Sequence, residues 1–252
     1  MSLTDILLAF LSAVGAGIVN AIAGGGTLIT FPTLIALGLP AVSSNITSTV
    51  ALCPGYLGAT FAQRKDLVGQ KKRTLYLLPA GAAGGIMGGF LLLNTSEKLF
   101  VQLVPYLILT ASLLLALQEP VRRLIIKKTN NKKSKGILSL SIVFVFLSAI
   151  YGGYFGAGLS VIVLTALGIT INDSLTRLNA LKQFISFSVN ISAAVFFLFS
   201  SSVILTAAII MIFGSLLGGF IGGKIAAYIK PQILRIIVVI AGIIIALIYF
   251  IK

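Results

Sequence analysis

Residues 4–38 read TDILLAFLSAVGAGIVNAIAGGGTLITFPTLIALG. An apolar run over 4–22 is stopped by Gly24-Gly25-Gly26 and followed by a shorter run over 27–38. A bilayer core about 30 Å thick takes roughly 20 apolar residues of helix. The first run meets that length. The second reaches only about 17 Å at 1.5 Å per residue. A spanning helix followed by a half-helix or re-entrant segment is what this stretch predicts.

Working outward, runs of spanning length recur near 43–62, 74–93, 100–118, 137–155, 177–199, 203–223 and 232–251. A second short run lies at 158–168. The expected fold is therefore an all-α integral membrane protein of about eight transmembrane helices, in two homologous four-span repeats. Each repeat carries a broken or re-entrant half-helix after its first span. Composition agrees. Of 252 residues, 58% are hydrophobic and 10% charged, with a mean hydropathy of +1.11. Soluble domains carry about 25% charged residues, so this chain could not cover a water-facing surface. Met1 to Asp5 holds no Lys or Arg and the hydrophobicity runs on, which argues against a signal peptide despite the Ala21-Ile22-Ala23 triplet.

Lys and Arg number 19 against five Asp and Glu, a net charge of +14. In a polar protein this would suggest nucleic acid; here the cations fall in short loops and mark the cytoplasmic side instead. Arg64, Lys65, Lys71, Lys72 and Arg73 follow the second span; Arg122, Arg123, Lys127, Lys128, Lys132, Lys133 and Lys135 follow the fourth. Two spans separate the clusters, so both can be cytoplasmic, with Asn94 to Lys98 outside. If the half-helices do not cross, both termini are cytoplasmic as well. If they cross, the halves are inverted and Lys224 and Lys230 sit inside. Both arrangements satisfy the charge rule.

The chain also divides in two. Phe10-Leu11-Ser12-Ala13 recurs as Phe146-Leu147-Ser148-Ala149, and Thr33-Leu34-Ile35-Ala36-Leu37-Gly38 as Val163-Leu164-Thr165-Ala166-Leu167-Gly168. Gly81, Gly85 and Gly89 recur as Gly214, Gly218 and Gly222, and the three offsets of 136, 130 and 133 residues are close. The expected division is a first repeat over 1–120, a basic linker over 121–136 and a second repeat over 137–252. Glycines four apart share a helical face and let a second helix approach. They serve packing within or between subunits, which leaves a homo-oligomer open.

Polar chemistry enters the membrane at three places. Asn20, Gly24, Gly25, Gly26 and Thr27 form the first helix break, where unwound backbone and a helix N-terminus offer N–H groups to an anion. Gly152-Gly153 and Gly156-Ala157-Gly158 form a corresponding break, and paired breaks point to a transporter's binding site. Polar residues then open the second span of each half: Asn45, Thr47, Ser48 and Thr49 in the first, Arg177, Asn179, Lys182, Gln183 and Asn190 in the second. Lys182 lies about 8 Å along the helix from Arg177; its structural alternative is snorkelling to the interface. For Arg177 the alternative is an i,i+4 pair with Asp173. All five carboxylates fall at span ends or in loops, there is no His, and Cys53 is the single cysteine. Disulfides and Cys/His metal sites are excluded, and a carboxylate-based proton or sodium relay is disfavoured.

These residues resemble a known family. Asn20-Ala21-Ile22-Ala23-Gly24-Gly25-Gly26-Thr27, Phe31-Pro32-Thr33-Leu34, Asn45-Ile46-Thr47-Ser48-Thr49-Val50-Ala51-Leu52 and Pro54-Gly55-Tyr56-Leu57-Gly58 look like the first repeat of the TauE/SafE sulfite exporter family. Arg177-Leu178-Asn179-Ala180-Leu181-Lys182 and Asn190 are similar to its second-repeat motif, although Gly156-Ala157-Gly158 stands in place of a triple glycine. The resemblance spans about Leu7 to Ile251. It implies a multi-pass protein of the cytoplasmic membrane that transports sulfite, sulfate or organosulfonates.

The expected function is thus a permease for a small anion, in a lipid bilayer, without cofactor, metal or nucleic acid. Asn20, Gly24, Gly25, Gly26, Thr27, Thr47, Thr49, Asn179 and Gln183 would supply neutral donors, and Lys182 and Arg177 charge. Alternatives are a different small anion, an intramembrane enzyme pairing Ser or Thr with Lys182, or a scaffold that moves nothing. No P-loop is present, so direct use of ATP is not expected.

Overall fold

Each long apolar run folds as a helix. The computed structural model describes residues 2–117, 138–200, 202–225 and 231–251, with residues 120 and 123. Most of the 121–136 linker lies outside the described residues, as do Arg122, Lys127, Lys128, Lys132, Lys133, Lys135 and Lys230. The elements are α1 (Leu3–Ile22), α2 (Thr27–Ala36), α3 (Ala41–Ala62), a 3-10 turn (Arg64–Leu67), α4 (Lys71–Leu93) and α5 (Glu97–Ala116). They continue as α6 (Leu138–Phe155), α7 (Leu159–Thr170), α8 (Leu175–Leu198), α9 (Leu205–Ile225) and α10 (Pro231–Ile251). No strand occurs among the described residues.

Local chemistry sets several boundaries. Ser2 accepts from the Asp5 N–H while Asp5 reaches back to the Ser2 N–H, a capping box that starts α1. Ser96 and Ser174 cap α5 and α8 by accepting the Leu99 and Arg177 N–H groups, without the reciprocal bond. The N-terminus of α3 follows Pro40 and has no cap of its own; the Glu97 carboxylate, from α5, accepts the Ala41 and Val42 N–H groups. By length and composition, α1, α4, α5, α6, α8 and α9 can cross a membrane. At 22 residues α3 is as long, but Asn45, Thr47, Ser48 and Thr49 dilute its apolar character. The short runs are half-helices of 10 and 12 residues, α2 and α7.

Both half-helices run back along the helix before them. A methyl group on Gly26 would lie 2.5 Å from the Ala16 carbonyl oxygen, and Leu34, further along α2, clusters with Ala9 and Ala13 of α1. In the second half Leu159 lies against Gly152, while Ser141 donates to Thr170 at 2.8 Å. α3 therefore runs parallel to α1, and both lie parallel to α9: Gly17 and Gly55 approach the same Ser215 carbonyl. By the same logic α4, α6 and α8 are parallel to one another, since Gly84 faces Phe146, Gly88 faces Ile150, and Gly81, Gly85 and Gly89 climb α8 from Ile185 to Phe197. The two sets oppose each other, because Asn179 bonds Gln63 at one end of α3 and Thr47 bonds the Ile204 N–H near the other. Hence α1 and α6 run in opposite directions, as in the crossing arrangement. Residues 3 and 251 stand opposite the end that carries Arg64, Lys65, Lys71, Lys72, Arg73, Arg177 and Lys224.

One helix of each half is packed into the other: α4 lies along α6 and α8, and α9 along α1 and α3. The contact is backbone to backbone. A methyl group would come to 2.5 Å from the Phe146 carbonyl oxygen at Gly84, and to 2.6 Å from that of Phe10 at Gly214. Phe10 and Phe146 were the first repeated pair, so the glycines in matching roles are Gly84 and Gly88 with Gly214 and Gly218. The sequence words set Gly81, Gly85 and Gly89 in that place; those glycines face α8 instead. The offset over these helices is 130, equal to that of the half-helices.

Candidate functional site

The two helix breaks meet inside the bundle. Gly24 and Gly25 adopt φ of +86° and +92°, the left-handed region open to glycine, and turn the chain from α1 into α2. A Cβ at Gly24 would sit 2.8 Å from the Ser160 Cβ of α7; Thr27 Oγ1 would sit 3.3 Å from a Cβ at Gly156. Helix α5 touches both turns, with Leu115 against Gly25 and Ala111 against Gly158. Gly158, with φ of +80°, precedes α7 as the glycine triplet precedes α2.

Asn20 is buried and its Oδ1 accepts the Gly26 N–H at 2.7 Å. This fixes the turn and occupies one N–H that the sequence offered to a ligand. Thr27, also buried, begins α2. From α8, Gln183 Nε2 donates to the Ala21 carbonyl at 3.2 Å and reaches that of Asn20 at 3.5 Å. Gln183 thereby joins the last turn of α1 to α8, and its Oε1 has no hydrogen-bond partner. Next to it, Lys182 is 0% exposed and its Nζ has no partner either. Ser186, one turn on and on the same side of α8 as Lys182, is buried with an unpartnered Oγ. A buried unpaired ammonium costs far more than an unpaired neutral group. Within about one turn of α8 these three side chains offer two donors and an acceptor.

Other expected site residues have structural partners. Thr47 accepts the Ile204 N–H at 3.1 Å and holds the α8–α9 loop; Thr49 donates to the Asn45 carbonyl within α3 at 3.0 Å. Asn179 Nδ2 donates to Gln63 Oε1 at 2.8 Å, closing α8 against the end of α3. Arg177 stands apart from Lys182. It pairs with Asp173 at 3.0 Å, the i,i+4 alternative, and donates to the Val68 carbonyl at 3.0 Å. Asp173 also pairs with Arg73, whose guanidinium bonds Gln70, so this cluster ties α4 to the α7–α8 loop. Partial burial pushes the Asp173 carboxyl up, but hydrogen bonds from Arg73, the Ser174 N–H and Arg177 outweigh it and hold it below the ordinary value.

Several residues escaped the sequence reading. Ser160 on α7 and Ser186 on α8 each carry a buried Oγ without a partner, and Tyr151 carries an unpartnered buried hydroxyl on α6. Their only sequence signal was proximity to a glycine break or to Lys182. Phe31, Phe100 and Phe155, all 0% exposed, stack edge-on or tilted with centroids 5.5–6.4 Å apart. Phe155 directly precedes Gly156 and Phe31 lies one turn into α2, so the rings seal one side of the breaks. Among the described residues no group of His, Cys, Asp or Glu could hold a metal ion.

Comparison with known proteins agrees with this architecture. Residues 9–249 match the family described as sulfite exporter TauE/SafE. A probable membrane transporter protein of Haemophilus influenzae is 27% identical over 239 residues, covering 93% of this chain and 91% of the relative. The probable membrane transporter protein ORF9 of a Sinorhizobium species is 25% identical, covering 96% and 91%. The probable membrane transporter protein YfcA of Escherichia coli is 23% identical, covering 92% and 85%. With a multi-helix apolar bundle, paired glycine breaks and a match along nearly its whole length, the chain belongs to the TauE/SafE family of membrane transporters.

Proposed function

We propose that this protein is a permease that moves a small sulfur-containing anion (sulfite, sulfate or an organosulfonate) across the cytoplasmic membrane. The anion binds between two homologous, oppositely oriented halves, where the helix breaks meet. One observation carries the proposal: Lys182 is wholly buried and its ammonium has no partner. An unpaired buried charge is retained where a ligand of opposite sign completes it. Asn20, Gly24, Gly25, Gly26, Thr27 and Gln183 surround the same turn and supply neutral groups, which keep binding weak enough for release. Thr47 and Asn179 hold the elements that frame it, Thr49 bonds within α3, and Arg177 acts with Arg73 at the basic end.

The excess of Lys and Arg at the basic end supports reading that end as cytoplasmic, with residues 3 and 251 outside. The aromatic seal then faces outward, and the Asn179–Gln63 closure inward. A path closed on both sides of a midplane site fits alternating access by rocking of two repeats.

An intramembrane Ser–Lys enzyme fits less well. A serine nucleophile must lie within hydrogen-bonding reach of its base, yet Ser186 Oγ and Lys182 Nζ are each without a partner. Flux in proteoliposomes tests the reading, with sulfite, sulfate, thiosulfate, taurine-like sulfonates and neutral analogues compared. Wild type should carry at least one sulfur oxyanion and no neutral analogue, and Lys182→Ala should carry none while keeping its thermal transition. Equal flux by the variant would remove Lys182 from the site.

A further inference from the structure

A groove of about 630 Å³ runs down the outside of the bundle between α3 and α9, lined by Leu57, Phe61, Phe213, Leu216, Leu217 and Phe220 beside Gly58. It is apolar along its length, and its large side chains are 44–64% exposed. At the basic end the character changes. The Arg64 guanidinium lies 4.3 Å from the centroid of the Phe61 ring, and the Lys224 ammonium 4.2 Å from that of Phe220. Both rings line the groove, so both cations are held over its mouth by attraction to the ring faces. Arg64 and Lys224 are exposed, and neither pairs with a carboxylate among the described residues.

We infer that this groove is a site for an anionic phospholipid, with its phosphate between Arg64 and Lys224 and an acyl chain along Phe61, Leu217 and Phe213. Charge complementarity selects the occupant. A cation near the membrane surface attracts anionic lipid by about 1 kcal/mol, and here two cations converge on one apolar channel. A second copy of the chain would bring its own Arg64 and Lys224 to a two-fold contact and set like charges together. A second groove, about 480 Å³ along α4 and Phe184, has only Lys71 at its mouth and serves as an internal comparison.

Native mass spectrometry of the protein released from nanodiscs of equal phosphatidylcholine and phosphatidylglycerol tests this. Wild type should retain phosphatidylglycerol preferentially. Arg64→Gln and Lys224→Gln should each reduce that preference about fivefold, and the pair together roughly twenty-fold. Lys65→Gln, at the same end but over neither ring, should leave it unchanged. Leu217→Trp, which fills the groove while keeping both cations, should lower total lipid retention. A thermal transition within the wild-type range identifies folded variants, and the two kinds of substitution attack opposite ends of the site. The inference is overturned by equal retention of the two lipids, by a loss in Lys65→Gln as large as in Arg64→Gln, or by a dimer that excludes lipid from the groove.

Discussion

Helices α3 and α8 occupy comparable places in the two halves, and both open with polar residues inside the membrane. Their hydrogen bonding differs. In α3, Ser48 shares a 2.5 Å hydrogen bond with Thr30 of the half-helix, Thr47 holds Ile204 and Thr49 bonds its own helix; Asn45 donates to the Tyr154 carbonyl and leaves only its Oδ1 open. In α8, Lys182, Gln183 and Ser186 each leave a polar atom without a partner. Asn45 and Gln183 make matching contacts: each donates to a carbonyl in the last helical turn before a break, Tyr154 and Ala21, and each leaves its own oxygen open. One half ties its hydroxyls to the half-helix and the α8–α9 loop; the other leaves a buried charge without a partner. Polar residues at membrane depth are therefore of two kinds, and partner counting separates them.

The sharpest way to break this contrast is to truncate one residue of each kind. Lys182→Ala should lower anion flux by about a hundredfold or more, the loss expected when a buried charged contact is removed. Ser48→Ala should cost about 1 kcal/mol of stability for its hydrogen bond and leave flux within a few-fold of wild type. Comparable flux losses in the two variants would erase the distinction.

The interface that exchanges α4 and α9 offers the next test. Gly84→Ala places a methyl group 2.5 Å from the Phe146 carbonyl oxygen, whereas Gly15→Ala on α1 meets nothing within 4 Å. The first should destabilise by about 1–3 kcal/mol through overpacking; the second should stabilise by up to about 1 kcal/mol through helix propensity. Chemical denaturation in detergent reads both, and a neutral Gly84→Ala would contradict the packing.

The smallest effect belongs to the basic end. Asp173→Asn should cost about 1 kcal/mol, as a partly exposed ion-pair network does. Because the folded carboxyl titrates below its unfolded value, this contribution is present above the unfolded value and is lost as pH falls through the folded one. Wild type and Asp173→Asn should therefore differ at neutral pH and converge in strong acid; a constant gap would assign the effect to packing.

Much of this architecture was legible from apolar run length. The breaks at Gly24-Gly25-Gly26 and Gly156-Ala157-Gly158 were readable because three glycines or an alternating pair cannot be mistaken for helix interior. The direction of the half-helices was not, since 10 or 12 residues fit a crossing or a non-crossing segment equally well. Contacts such as Gly26 with Ala16 decide it, and these arise only on folding. For the site, residue type identified Lys182 and Gln183 but could not tell them from Thr47 or Arg177, because burial and partnering are tertiary properties. The i,i+4 pair of Arg177 with Asp173 was visible in the spacing; the added hold of Arg73, a hundred residues away, was not.

Equilibrium binding of labelled sulfite, sulfate or taurine to purified protein tests the anion role of Lys182 most directly, since it needs no assumption about transport direction or coupling. Wild type should saturate with at least one of these anions at one site per chain, and Lys182→Met, similar in length but uncharged, should lose at least about tenfold in affinity with an unchanged thermal transition. Undiminished binding by a folded Lys182→Met protein would contradict the assignment of Lys182 as the residue that receives the anion.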